Sequence, residues 1–121
     1  MIGVGKSAWT KLFNTTAPPD LQDFASLSNS FTEAPSTQCD LIIHIRSERH
    51  DLNFELASQV IQAHGYGLAV IDEVHGFRYL DNRDLTGFVD GTENPQSEAD
   101  RVNVALSSAD GALSQGSFIH I

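Results

Sequence analysis

An α+β fold is predicted: a ferredoxin-like βαββαβ unit on an antiparallel sheet, with its first strand missing and a second such unit beginning at the C-terminus. Three features of the sequence point to it. Apolar runs of strand length alternate with segments of helical spacing in the order strand, helix, connection, strand, helix, strand, which matches the last five elements of that unit. A length of 121 residues with 40% hydrophobic content suits one domain with a core and is too short for two ordinary ones. Finally, the chain opens on an apolar run, Met1 to Gly5, and stops within another, Ser117 to Ile121. Both read as strands without their neighbours, so the chain is expected to be a portion of a larger body. A complete small domain whose terminal strands pair with each other is the alternative.

After the first strand, Ser7 can cap a helix through Ala8, Trp9, Leu12 and Phe13, whose apolar residues recur at helical spacing. Residues 14–38 carry Pro18, Pro19 and Pro35 among Ser, Thr and Asn, which breaks both periodicities and predicts a long connection. Leu41 to Ile45 is an apolar run long enough to cross a sheet, covered on at least one face. Ser47 is the candidate cap of the clearest helix. In it Leu52, Leu56 and Val60 step by four, Ala57 and Ile61 widen the stripe toward the sheet, and Gly65 supplies a left-handed stop. Leu68 to Ile71 begins another strand, and His75 to Tyr79 continues it past a bend at Gly76. From Asp81 the chain turns polar.

Composition narrows the partners. With 16 Asp plus Glu against 7 Lys plus Arg, the formal charge is -9. No basic cluster longer than Arg46 to Arg49 could neutralise phosphates, which disfavours nucleic acid and anionic membrane surfaces alike. No apolar run approaches the length of a spanning helix, and the N-terminus lacks the charged-then-apolar order of a signal peptide. The single cysteine, Cys39, cannot form an internal disulfide. It suits a reducing cytoplasm and reads as a partly buried residue at a strand entry.

The chemistry is expected in the nine residues Gly87 to Pro95, which read Gly-Phe-Val-Asp-Gly-Thr-Glu-Asn-Pro. Two glycines frame Asp90 in a Gly-x-x-Asp-Gly pattern, so a turn rich in acceptors lies where backbone can approach a ligand closely. Asp-Gly is also a common turn dipeptide. On that reading Asp90 only closes the turn, accepting hydrogen bonds from the Thr92 or Glu93 amide.

The nine-residue stretch resembles the signature loop of the dye-decolorizing peroxidases, and the similarity extends through Leu41 to Leu56 and Asp72 to Asp84, most of the chain. The resemblance implies a heme b enzyme that reduces hydrogen peroxide and oxidises dyes, phenols or other small reductants. It also implies two ferredoxin-like halves with heme held between them. On this basis residues 1–95 are expected to form a partial N-terminal ferredoxin-like domain bearing the loop, 96–116 a linker, and 117–121 the first strand of a truncated C-terminal half.

Asp90 takes the catalytic role by the same resemblance. It removes a proton from peroxide and returns it, which a carboxylate of reference pKa about 4 can do at lower pH than histidine. Gly87, Asp90, Gly91, Thr92, Glu93 and Asn94 are the expected heme-binding residues. Gly87 and Gly91 let the loop lie flat, and Glu93 is the weakest assignment because an anion near a propionate is unfavourable. Arg83 and Arg101 either offset propionate charge or are simply solvated.

None of His44, His50, His64, His75 and His120 sits where the family places its iron ligand. That histidine and a distal arginine are expected from the second half, and no metal ligand is assigned here. The 121 residues alone are therefore expected to be inactive. A cytoplasmic bacterial enzyme that forms a homo-oligomer is the implied whole. The rival is a non-enzymatic ferredoxin-like assembly module that keeps the loop as a turn.

Overall fold

The computed structural model describes residues 1–107, 114 and 116–120. Its elements divide between two compact units, Met1–Ile71 and Asp72–Ile121. The division falls earlier than the expected boundary after residue 95.

In the first unit, strand β1 (Ile2–Val4) pairs antiparallel with β4 (Leu41–Ile43), with Ile2 opposite Ile43 and Val4 opposite Leu41. Main-chain bonds continue the ladder at both ends. The Gly5 amide donates to the Asp40 carbonyl at 2.9 Å, and the His44 amide to the Met1 carbonyl at 3.0 Å. His44 is thus an exposed strand-edge histidine.

Helix α1 (Lys6–Phe13) follows β1 and stops at Asn14, whose φ of 50° is left-handed and whose amide donates to the Thr10 carbonyl. Ser7 does not cap it. Gly5 holds that position, and the Ser7 hydroxyl donates instead to Asp40 Oδ1 at 2.8 Å, which ties the helix to the approach of β4. Ala8, at 4% exposure, is buried. Trp9 and Phe13 stack on the same helix with ring centroids 4.6 Å apart.

The expected long connection holds a short hairpin, β2 (Leu27–Ser28) with β3 (Glu33–Ala34). Its turn is closed by Asn29, whose Oδ1 accepts from the Phe31 and Thr32 amides at 2.8 and 2.9 Å, an Asx turn. Cys39 is exposed rather than partly buried. Helix α2 (His50–His64) has Arg49 as its N-cap with no side-chain cap. Ser47 lies two residues too early to cap it. Its hydroxyl accepts from the Arg49 amide at 3.1 Å and donates to Asn53 Oδ1 at 2.7 Å, which braces the entry turn. Gly65 ends the helix, its amide donating to the Ile61 carbonyl, but at φ 52° and ψ -123° it is not in the left-handed helical conformation expected of it.

The stripe of α2 is not covered. Leu52 and Leu56 are half exposed, at 50% and 49%. Leu56 and Val60 share an open cleft of about 340 Å³ with Ile2, Ile43 and Ile45. The total accessible surface is 10694 Å², against roughly 7,700 Å² expected of two separate folded bodies of these lengths. Apolar faces wait for neighbours that the described residues do not supply.

The segments Leu68 to Ile71 and His75 to Tyr79 are extended but not strands. A strand exists only beside a partner that takes its main-chain bonds. Among the described residues neither segment pairs beyond an isolated antiparallel bridge from Tyr79 to Arg83, and Ile71 and Phe77 stay 79% and 68% exposed.

In the second unit, Leu80–Asn82 form a single 3₁₀ turn in which Asp81 and Asn82 are left-handed, at φ 52° and 61°. The expected linker carries a helix, α3 (Glu98–Ala105), because Ser97 is a true N-cap: its Oγ accepts from the Asp100 amide at 3.1 Å, with Glu98 and Asp100 in the first turn. Ser117 to His120 lie in no strand. Residues 108–113 and 115 of the expected linker, and Ile121, lie outside the described residues.

Candidate active site

The loop Gly87 to Pro95 is shaped by the dozen residues before it. Asp84 closes the first turn. Its Oδ1 accepts from the Thr86 amide at 2.9 Å, the Thr86 hydroxyl at 2.5 Å and the Phe88 amide at 3.2 Å. Its own amide donates to the Phe88 carbonyl at 2.9 Å, and its carbonyl accepts from the Gly87 amide at 3.1 Å. The hydrogen bond from Thr86, above all, holds the Asp84 carboxyl below the usual aspartate range.

Asp90 is then anchored by its backbone, the amide donating to the Asn82 carbonyl at 2.8 Å. The left-handed turn at Asp81 and Asn82 brings that carbonyl round, and the Arg78 guanidinium is hydrogen-bonded to Asn82 Oδ1.

Two arginines bracket the loop. Arg83 Nη1 donates to the Gly87 carbonyl at 2.8 Å and Arg101 Nε to the Pro95 carbonyl at 3.1 Å. The sequence offered both as counter-charges or solvated side chains. Here each holds one end of the nine-residue stretch.

Gly87 and Gly91 have φ of 96° and 80°, a region that side chains other than glycine's rarely adopt. At Gly91 an added Cβ would also meet Asn94 Nδ2 at 2.8 Å, so the Asn94 amide lies against the bare Cα. The Asn94 amide donates to the Gly91 carbonyl at 3.1 Å and closes the second turn.

What remains open is informative. Asp90 is exposed, and its carboxylate has no hydrogen bond or ion pair among the described residues. The turn-closing role that the sequence allowed for Asp90 belongs to Asp84. The Gly91, Thr92 and Glu93 amides also donate to no described residue. The structure thus brings Gly87, Asp90, Gly91, Thr92, Glu93 and Asn94 together on one loop, with a free carboxylate beside a run of free amides.

The part missed from the sequence is the brace formed by Arg78, Asn82 and Asp84. Asp84-Leu85-Thr86-Gly87 is an Asx-turn pattern, and it was the available signal. No described group of three or more His, Cys, Asp or Glu side chains could hold a metal ion, and His75 is occupied by Glu73 Oε1 at 2.5 Å.

Residues 1–78 match the family model described as Dyp-type peroxidase, N-terminal, and residues 81–121 match that described as Dyp-type peroxidase, C-terminal. The chain belongs to the Dyp-type peroxidases. It is 40% identical over 121 residues to a dye-decolorizing peroxidase of Mycobacterium tuberculosis, covering all of this chain and 36% of that protein.

Among solved structures, a DypB variant of Rhodococcus jostii RHA1 in complex with heme superposes with a TM-score of 0.84 at 42% identity. The match covers 94% of this chain and 37% of that one. A dye-decolorizing protein from Vibrio cholerae gives the same TM-score at 44% identity, over 94% and 38% of the two chains. This Dyp-type chain therefore spans about a third of the length of the relatives it matches. The two family models divide it between residues 78 and 81, a few residues from the division between its compact units.

Proposed function

We propose that these 121 residues carry one wall of the active site of a heme-dependent peroxidase, which reduces hydrogen peroxide and oxidises dyes, phenols or other small reductants. The observation that carries the reading is the Asp90 carboxylate, held by its backbone on a braced loop and left without a partner.

The loop fits a flat, anionic group on one side. Gly87 and Gly91 present backbone without side chains. The Gly91, Thr92 and Glu93 amides and the Thr92 and Asn94 side chains offer donors for its edge. Glu93 adds a negative charge there and is the least suited of the set. The loop holds no histidine that could ligate iron, and we assign an iron-ligating histidine and a partner arginine to residues outside this chain. Heme, when bound, supplies the iron at which peroxide reacts and the redox equivalents for its reduction.

The work of this chain is proton transfer. A carboxylate oxygen of Asp90 would take a proton from one oxygen of peroxide and return it to the other, so that water could leave as the O–O bond breaks with electrons that bound heme would supply. General acid–base help of this kind is typically worth about 10²- to 10⁴-fold. The braced turns keep the carboxylate from being spent on its own backbone.

The finer architecture belongs to the same proposal. The antiparallel pairing of β1 with β4, followed by α2, suits the middle of a ferredoxin-like half. The extended segments at Leu68 to Ile71 and His75 to Tyr79 become strands when the rest of the sheet is present. A cytoplasmic, self-assembling enzyme is consistent with a lone cysteine and open apolar faces, and no described helix is long and apolar enough to cross a membrane.

The test is reconstitution of the full-length protein with heme. A Soret band and peroxide-dependent oxidation of an anthraquinone dye or a phenol are expected. A pure, heme-supplemented protein that shows neither refutes the enzyme and leaves the assembly module.

A further inference from the structure

The Asp90 carboxylate is exposed and makes no hydrogen bond or ion pair among the described residues, so hydrogen bonding fixes its place through the main chain. That main chain has two supports. One is the single bond from the Asp90 amide to the Asn82 carbonyl at 2.8 Å. The other is the turn from Asp84 to Phe88, which feeds directly into Val89 and Asp90.

Asp84 makes most of that turn. One oxygen, Oδ1, gathers the Thr86 amide, the Thr86 hydroxyl and the Phe88 amide, while its backbone exchanges bonds with Phe88 and Gly87. Arg83 contributes a single side-chain bond to the Gly87 carbonyl. A long, flexible side chain with one bond restrains less than a short one with three.

We propose that Asp84 is a positioning residue that fixes where the Asp90 carboxylate stands. The proposal rests on the reading of Asp90 as the proton carrier. Its chemical content is division of labour between two aspartates six positions apart. Asp84 satisfies the amides of its turn, and Asp90 is thereby left free to exchange a proton. The requirement at Asp84 is geometric: a short side chain with an acceptor oxygen at that place. Asparagine meets it and alanine does not.

A cycle of variants in the full-length holoenzyme tests this: Asp84→Ala, Asp84→Asn, Asp90→Asn, and Asp84→Ala combined with Asp90→Asn. Misplacing a catalytic group by about 1 Å costs on the order of 10²-fold. Asp84→Ala is therefore expected to slow the reaction with peroxide by about 10- to 100-fold. Asp84→Asn should remain within about threefold of wild type, because its Oδ1 accepts the same bonds. In the Asp90→Asn background, Asp84→Ala should cost nothing further, since the group it positions is gone.

A readout without turnover accompanies the rates. In heme-free protein, hydrogen exchange at the Thr86 and Phe88 amides should quicken in Asp84→Ala and not in Asp84→Asn. If Asp84→Ala does not fold, Thr86→Val removes the hydroxyl donor alone, and the same cycle run with it should show a smaller loss, also confined to the Asp90 background.

Losses that add fully across a slow Asp90→Asn variant overturn the proposal and leave Asp90 in its role. So does an Asp84→Ala protein that reacts at the wild-type rate. An Asp90→Asn variant with the wild-type rate overturns the reading of Asp90 itself, and the proposal with it.

Discussion

Replacing Asp90 by asparagine in the full-length protein separates chemistry from scaffold, because the structure shows what the substitution would not remove. The carboxylate accepts no hydrogen bond from the Thr92 or Glu93 amides or from any other described residue. Its backbone amide, which anchors the loop on the Asn82 carbonyl at 2.8 Å, is unchanged in asparagine. Nothing in the folded loop is lost, so the melting temperature should stay within about 2 °C of wild type, and heme content should be unaltered. Asparagine cannot accept and return a proton. The rate of the peroxide-induced Soret change, followed by stopped flow, should therefore fall by at least about 10-fold and by up to 10²- to 10⁴-fold if no other group substitutes. An unchanged rate would remove Asp90 from the mechanism and reduce the loop to a turn.

Gly91→Ala forces a Cβ onto a φ of 80° and within 2.8 Å of Asn94 Nδ2. It should destabilise the loop by roughly 1 to 3 kcal/mol and lower heme retention, as read by thermal melts and heme titration of the full-length protein. The Asp84 carboxyl is held below its ordinary range chiefly by Thr86. Its charge therefore adds stability that is present above the usual carboxylate pKa of about 4 and is lost as pH falls through the depressed value. The difference in melting temperature between wild type and Asp84→Asn should accordingly close on acidification, and one that widens would contradict the assignment. The 121-residue chain alone should bind heme weakly, because amides and carboxylates cannot replace an axial ligand. A stoichiometric, histidine-ligated ferric spectrum from it would show that one of His44, His75 or His120 had been wrongly dismissed.

What could be read from the sequence follows the range of the contacts involved. Helix α2 is foreseen from Leu52, Leu56, Val60 and Gly65 because its bonds run four residues back along the same chain. The strands Ile2–Val4 and Leu41–Ile43 are foreseen as apolar runs, but the first, expected to lack its neighbour, pairs with the second. Leu68 to Ile71 has the same apolar pattern and forms no strand, since composition marks what a segment can do beside a neighbour and cannot provide the neighbour. Helix α3 was missed for the opposite reason. Its apolar residues are only alanine and valine, and the stretch reads as linker until Ser97 and Asp100 are seen as a capping pair.

The same distinction explains why the candidate site is well formed on a chain that leaves most of its apolar faces open. Each bond that shapes Gly87 to Pro95 is drawn from residues 78–101, and none needs a partner far along the sequence. The loop is therefore a local device, assembled by turn chemistry and clamped at its two ends by Arg83 and Arg101. Its order comes from its own contacts. In this chain those contacts consume Asp84 and both arginines, and they spare Asp90. The sequence pattern could reveal that two glycines and an aspartate share a turn. Only the hydrogen bonds reveal which aspartate is spent on the turn and which is left unpaired.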